Sequence, residues 1–304
     1  MITISHLTKT YRGGVKAIDD VSLEIGTGMF GLVGPNGAGK TTFMRIIAGL
    51  LKPTAGEISV FGNNLRAYAG KQAAKAQLGY LPQDLGLYPN LNAYEFLDYM
   101  AILKGVTSSA GRKRQIDMLL EQVRLTDAAK RPLKTYSGGM KRRVGIAQAL
   151  LGNPRLIIVD EPTAGLDPEE RIRFRNLLAD AAAGRTIILS THIVEDISQS
   201  CNDLAAMRGG KVIYRGSPQD LIAQARGSVW MITTQAERPN GGLTIVSTLQ
   251  MANGVQYRVL GDPDGRYDAS PVEPSLEDGY MWLMAQANDQ LAALAAGSPK
   301  RETA

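Results

Sequence analysis

Two rhythms of apolar residues alternate along the first 220 or so positions. Short β-branched runs flanked by turn residues read as strands. They lie at 17–25 (AIDDVSLEI), 29–34 (MFGLVG), 56–62 (GEISVFG), 78–83 (LGYLPQ), 155–161 (RLIIVDE) and 185–191 (RTIILST). The last two are nearly continuous in apolar residues, which suits strands covered on both faces. Between the runs lie patterns of helical period: TTFMRIIAGLL, LNAYEFLDYMAILKG, RKRQIDMLLEQVRL and GMKRRVGIAQALLG. In PEERIRFRNLLADAAA, the residues Ile172, Phe174, Leu177, Leu178 and Ala181 are expected to form an apolar stripe with charges opposite. This alternation predicts an α/β fold with a mostly parallel core over residues 1–222. Residues 84 to about 152 offer no strand of quality and read as a helical insertion.

After Arg226 the rhythm changes. SVWMITTQAE, GLTIVSTLQ and GVQYRVLGD read as short antiparallel strands, and SLEDGYMWLMAQANDQLAALAA as a closing helix. A small C-terminal α+β domain is expected at about 228–287, with a disordered tail at 288–304. No internal repeat is visible.

Composition narrows the class. The 304 residues allow one large domain and a small one, and 44% hydrophobic with 21% charged residues is ordinary for a soluble globular chain. No apolar run approaches the ~18 residues that span a membrane. The start, MITISHLTKTYRGG, lacks the apolar core of a signal peptide, so a cytoplasmic location is expected. The single cysteine, Cys201, excludes a disulfide framework and a cysteine-rich zinc site, and reads as a small buried or half-buried residue. A net charge of +5 fits solubility, an anionic membrane surface or a nucleic acid. The basic clusters at 111–115 and 141–143 read as solvated helix faces.

The stretch GPNGAGKTT, 34–42, separates a predicted strand from a predicted helix. It fits the phosphate-loop pattern through Gly34, Gly39, Lys40 and Thr41. Its glycines let backbone N–H groups converge on an anion, and the following helix adds its positive end. Lys40 would reach the β and γ phosphates, Thr41 would hold Mg²⁺, and Thr42 would bond the α-phosphate. LIIVDEP supplies the matching acids at a strand end. Asp160 would bind Mg²⁺ through water, and Glu161 would act as the general base toward the attacking water.

YSGGMKRR, 136–143, resembles the signature motif of ATP-binding-cassette (ABC) ATPases, and the resemblance covers residues 2 to about 220. It implies a P-loop NTPase of the ABC ATPase type, with ATP and Mg²⁺ as ligands. In that family two cassettes pair head to tail, and each ATP lies between the phosphate loop of one copy and the signature of the other. Gly34, Pro35, Asn36, Gly37, Ala38, Gly39, Lys40, Thr41 and Thr42 match the loop around the phosphates. Ser137, Gly138 and Gly139 match the signature's second anion site; read without the family, they serve equally as a helix cap.

The resemblance implies further roles. Tyr11 matches the aromatic that stacks on adenine. Gln83 matches the glutamine that reaches Mg²⁺ and the attacking water and senses the transporter subunit. Asp167 matches the aspartate that couples the two sites across the dimer, and alone reads as a helix cap before Pro168. His192 matches the switch histidine that contacts the γ-phosphate, while His6 reads as structural. Met140 stands where the commonest signature has glutamine. This variant, with the ending VEPSLEDGYMWLM at 272–284, is similar to a branch of bacterial cassettes serving drug, antibiotic and polysaccharide exporters.

The implied function is the ATPase of an ABC transporter, an exporter by its branch. It would be peripheral on the inner face of the membrane, paired with itself or a related cassette, and bound to a separate transmembrane permease subunit. Two alternatives stand beside it. One is an ABC ATPase driving a membrane signalling or division complex. The other is a soluble ATPase linked to nucleic acid, which the sequence disfavours. Gln83 to Ser137 spans only 54 positions, too short for an inserted long coiled coil, and one cysteine makes no zinc site. No direct nucleic-acid contact is expected.

Overall fold

The computed structural model describes residues 1–296 apart from 164, 165, 236 and 253, with the backbone alone for 289–296. It divides into two units, Met1–Arg215 and a second beginning at Gly216.

The first unit carries strands β1 (Ile2–Thr10), β2 (Lys16–Ile25), β3 (Gly28–Val33), β4 (Ala55–Val60), β5 (Asn63–Asn64), β6 (Leu78–Leu81), β7 (Leu156–Asp160), β8 (Thr186–Thr191), β9 (Asp203–Arg208) and β10 (Lys211–Gly216). Its helices are α1 (Lys40–Ile47), α2 (Tyr68–Ala76), α3 (Ala93–Leu103), α4 (Ser109–Gln122), α5 (Gly138–Leu150), α6 (Pro168–Ala181) and α7 (Val194–Ser198). A six-stranded sheet runs β10-β9-β3-β8-β7-β6, in which β6, β7, β8, β3 and β9 pair in parallel. Every residue of β7 and β8 is buried, as their unbroken apolar runs predict.

This sheet is the mostly parallel core expected from the sequence, and two of the expected strands lie outside it. The runs at 17–25 and 56–62 belong to a separate antiparallel sheet, β2-β1-β4-β5. Their alternating burial gives the reason: each faces the core with every second residue, as half-covered antiparallel strands do. Ile4, Leu23 and Ile58 of this sheet join Phe43, Met44 and Ile47 of α1 and Leu32, Ile158 and Ile188 of the parallel sheet in one apolar cluster. Helix α1 is thereby gripped on several sides, which fixes the loop that precedes it.

Between β6 and β7 come α3, α4, α5 and two 3-10 turns, Thr126–Ala128 and Leu133–Thr135, with no named strand among the described residues. Helix α3 starts with a reciprocal cap in which Asn92 Oδ1 accepts from Glu95 N–H and Glu95 accepts from Asn92 N–H, both at 2.9 Å. In α6, Phe174, Leu178 and Ala181 are buried, but Ile172 is 49% exposed, so the expected stripe is narrower than predicted.

The second unit holds α8 (Pro218–Gln224), β11 (Val229–Thr234), β12 (Thr244–Met251), β13 (Gly254–Leu260), β14 (Ala269–Pro271) and α9 (Leu276–Ala296). Its sheet is antiparallel in the order β12-β13-β11-β14. The sequence places α8 at the end of the cassette and the break at 222–228; the structure groups α8 with the second unit. The cause is close packing on α9. Gly279 sits so near Leu221 that a Cβ there would lie 2.4 Å from the Leu221 carbonyl oxygen. Helix α9 continues to Ala296, past the expected start of the tail at 288, and the tail residues 297–304 lie outside the described residues.

Candidate nucleotide site

The stretch 34–42 forms the turn from β3 into α1, and two of its glycines are required by close backbone approach. A Cβ at Gly34 would lie 2.3 Å from the Met207 carbonyl oxygen, and one at Gly39 would lie 2.3 Å from that of Ala17. Gly39 also has φ of +103°, outside the range of most side chains. Packed this way, Asn36 to Thr42 line a pocket with Ala17, Gln83, Glu161 and His192. Apart from Ala17, near the start of β2, these residues follow β3, β6, β7 and β8, so the parallel sheet's carboxyl edge assembles most of the site.

Lys40 is buried with its ammonium donating to the Gly34 and Pro35 carbonyls at 2.6 and 3.2 Å, 3.7 Å from Glu161 Oε1. Burial pulls its pKa below the ordinary lysine value, against the opposing pull of the Glu161 and Asp160 carboxylates. Glu161 Oε2 lies 2.5 Å from His192 Nδ1, so its carboxylate bridges the lysine and the histidine. Glu161 holds φ at +49°, uncommon for a non-glycine residue, and its N–H donates to the Ser190 carbonyl at 3.0 Å. Burial raises the pKa of Asp160, whose Oδ1 stands 3.5 Å from Thr41 Oγ1. Tyr11, 42% exposed, places its hydroxyl 3.3 Å from Thr42 Oγ1.

The other predicted residues do not enter this pocket. Ser137 and Gly138 are exposed at the start of α5, and Ser137 Oγ accepts from Met140 N–H at 3.2 Å. Gly139 packs over the Glu170 carboxylate. Asp167 is exposed and caps α6, its Oδ1 accepting from Glu170 N–H at 2.8 Å. Within one chain, both groups serve as helix caps.

A family model described as ABC transporter matches residues 18–164. The linearmycin resistance ATP-binding protein LnrL of Bacillus subtilis (strain 168) is 34% identical over 264 residues, 86% of this chain and 83% of that protein. The Nod factor export ATP-binding protein I of Cupriavidus pinatubonensis is 38% identical, over 73% of this chain and 68% of that protein. Among solved structures, the ATP-binding cassette MJ0796, a dimer in a post-hydrolysis state with ADP and Pi, matches at a TM-score of 0.66 and 28% identity. That match covers 71% of this chain and 98% of the cassette.

The chain belongs to the ABC transporter ATP-binding proteins. It is an ABC ATPase, of a family whose cassettes bind ATP.

Sequence reasoning missed three features of this ABC cassette. Strand β1 shows the signal in its alternating ITISHLTKT, broken by bulges where His6 takes φ of +49°. His6 is exposed and paired with Asp20 at 2.9 Å. Arg142, in a basic cluster read as a solvated face, donates to the Gln83 carbonyl at 2.9 Å and so ties α5 to the residue at the pocket mouth. Thr163 donates to buried Asp196 at 2.7 Å, joining the segment after Glu161 to the one after His192. No sequence pattern marks that last pair; it exists only because β7 and β8 are neighbours.

Proposed function

We propose that this ATPase powers an exporter, acting as a head-to-tail pair of cassettes on the inner face of the membrane with a separate membrane-spanning subunit. The observation that carries the reading is Glu161, bridging Lys40 and His192 at the mouth of the phosphate-loop pocket. A carboxylate held there accepts a proton from water attacking a γ-phosphate, and His192 both orients it and faces the same phosphate. Lys40 exchanges its carbonyl partners for the β and γ phosphates, which restores full charge compensation to a buried ammonium. Tyr11 offers its exposed ring to adenine.

Thr41 and Asp160 present oxygen donors side by side, which suits Mg²⁺ completed by phosphate and water. Among the described residues no group of three or more His, Cys, Asp or Glu forms a cage of its own. Bound Mg²⁺ would neutralise charge on the phosphates; Thr41 and Asp160 would hold it, and Gln83 at the pocket mouth would orient the attacking water beside it.

Ser137, Gly138 and Asp167 are exposed and away from their own pocket, so their match is the pocket of a second copy. No described helix is long and apolar enough to cross a membrane, which supports a separate membrane subunit. Relatives named for linearmycin resistance and Nod factor export support the reading of export. Glu161→Gln is expected to bind ATP, hydrolyse it about 10²–10⁴-fold more slowly and accumulate as an ATP-bound dimer in sedimentation. Hydrolysis by this variant at the wild-type rate would remove Glu161 as the base. A polytopic protein co-purifying from gently solubilised membranes would identify the partner.

A further inference from the structure

The three sheets of the chain end differently. Among the edges of the first unit, β2 carries Lys16, Asp19, Asp20 and Glu24, β10 carries Lys211 and Arg215, and β5 and β6 are short. Charges and shortness are how sheets prevent edge-to-edge pairing. In the second unit β14 is only three residues long. Strand β12, the opposite edge, has neither guard. It runs eight residues, Thr244–Met251, without a charge or a proline. Indeed no Asp, Glu, Lys or Arg occurs anywhere from 239 to 257. The strand pairs with β13 on one side, and among the described residues no backbone bond is made from its other side. Ser247 to Met251 are all exposed, with Leu249 at 57% and Met251 at 44%.

We propose that the open edge of β12 pairs antiparallel with β12 of a second copy of this chain, joining two C-terminal sheets into one of eight strands. The strand suits itself as a partner. Two-fold pairing sets β12 against its own sequence, so no like charges meet, and the exposed Leu249 and Met251 gain apolar neighbours across the seam. A charged partner would find no counter-charge on this edge. The pairing also needs no high affinity. It deepens the paired-cassette reading and rests on it for its tether: once ATP closes two cassettes, the pairing of the two C-terminal units becomes an intramolecular step. The seam then keeps two copies together when the nucleotide interface opens.

The test uses the full chain carrying Glu161→Gln. Ser247→Cys, Thr248→Cys, Leu249→Cys and Gln250→Cys are made one at a time, with Ser270→Cys on β14 as the control. Oxidative cross-linking is scored with ATP and without nucleotide. At least one β12 cysteine near the two-fold is expected to cross-link copies about tenfold more than the control, since paired strands bring Cα atoms within about 7 Å. Adding Leu249→Lys to the best cross-linker, or Met251→Lys where that is Leu249→Cys, is expected to cut the yield about tenfold by setting like charges across the seam. Control-level yield from all four cysteines in both states would overturn the pairing. So would cross-links in native membranes to another protein with none between copies. If the Glu161→Gln chain fails to dimerise with ATP, the paired-cassette reading falls, while cross-links without nucleotide still decide the seam.

Discussion

Two clusters of buried charge, one in each unit, are built to opposite ends. In the cassette, Glu161 sits between Lys40 and His192, with a left-handed backbone and side-chain partners from two distant segments. Lys40 spends its hydrogen bonds on two loop carbonyls. In the C-terminal unit, the fully buried Asp278 accepts from Arg258 Nε at 2.9 Å and Nη2 at 2.7 Å, and from Ser275 N–H and Oγ–H at 2.6 and 2.7 Å. Arg258 also donates to the Glu273 carbonyl at 2.6 Å. Burial pushes the Asp278 carboxyl up, but these donors outweigh it and hold its pKa below the usual value. The first cluster has partners that a phosphate would replace. The second has every strong donor committed within the unit and nothing to exchange. It explains the tail motif at 273–278: Ser275 caps α9, and Asp278 locks that cap to β13.

The largest effect is expected where exchange is the purpose. His192→Ala should lower the ATPase rate about 10²–10³-fold with ATP affinity changed only a few-fold, measured by turnover and by equilibrium nucleotide binding. An equal loss of binding would make the histidine a holder of nucleotide, and the contrast would fail. Next, Asp278→Ala should destabilise the C-terminal unit by about 3–5 kcal/mol, because it leaves Arg258 half-buried and unpaired. Denaturant melting followed by Trp230 and Trp282 fluorescence would read this, and ATP binding by the cassette should persist. Acid should reproduce the effect. A carboxyl with lowered pKa stabilises the fold above its unfolded value of 3.8, and that stability is lost as pH falls through the folded pKa.

A smaller effect is expected at Lys104, a half-buried cation with no salt-bridge partner among the described residues. Its Nζ donates to the Ala149 and Leu151 carbonyls at the end of α5, and burial lowers its pKa to about 8. The folded state therefore favours the neutral amine, so stability should rise with pH between about 8 and the unfolded value of 10.5. Lys104→Met should flatten that rise, on the order of 2 kcal/mol, in melts across the window. The smallest effect concerns reactivity alone. Cys201 is buried with its thiol pushed up to about 12, so thiol reagents at pH 8 should label it only after unfolding.

The sequence alone determined the class of the fold and marked a candidate phosphate loop. Glycines at 34 and 39 and lysine at 40 have one economical reading, because an anion dictates backbone and charge within a few residues of each other, and the acids at 160 and 161 stand at the end of a second apolar run. Continuous apolar runs likewise marked β7 and β8 as buried central strands. Local pattern also marked a second, antiparallel unit beyond Arg226.

Only the tertiary structure decided what depends on distant neighbours. That 17–25 and 56–62 join a second sheet, that Arg142 holds Gln83, and that α8 belongs with α9 follow from packing partners far away in the chain. So does the split between Glu161, gathered into the pocket, and Ser137 and Asp167, left facing outward. Periodicity reports which face of an element is apolar. Which surface covers that face is set by the sum of long-range burial, which no local stretch contains.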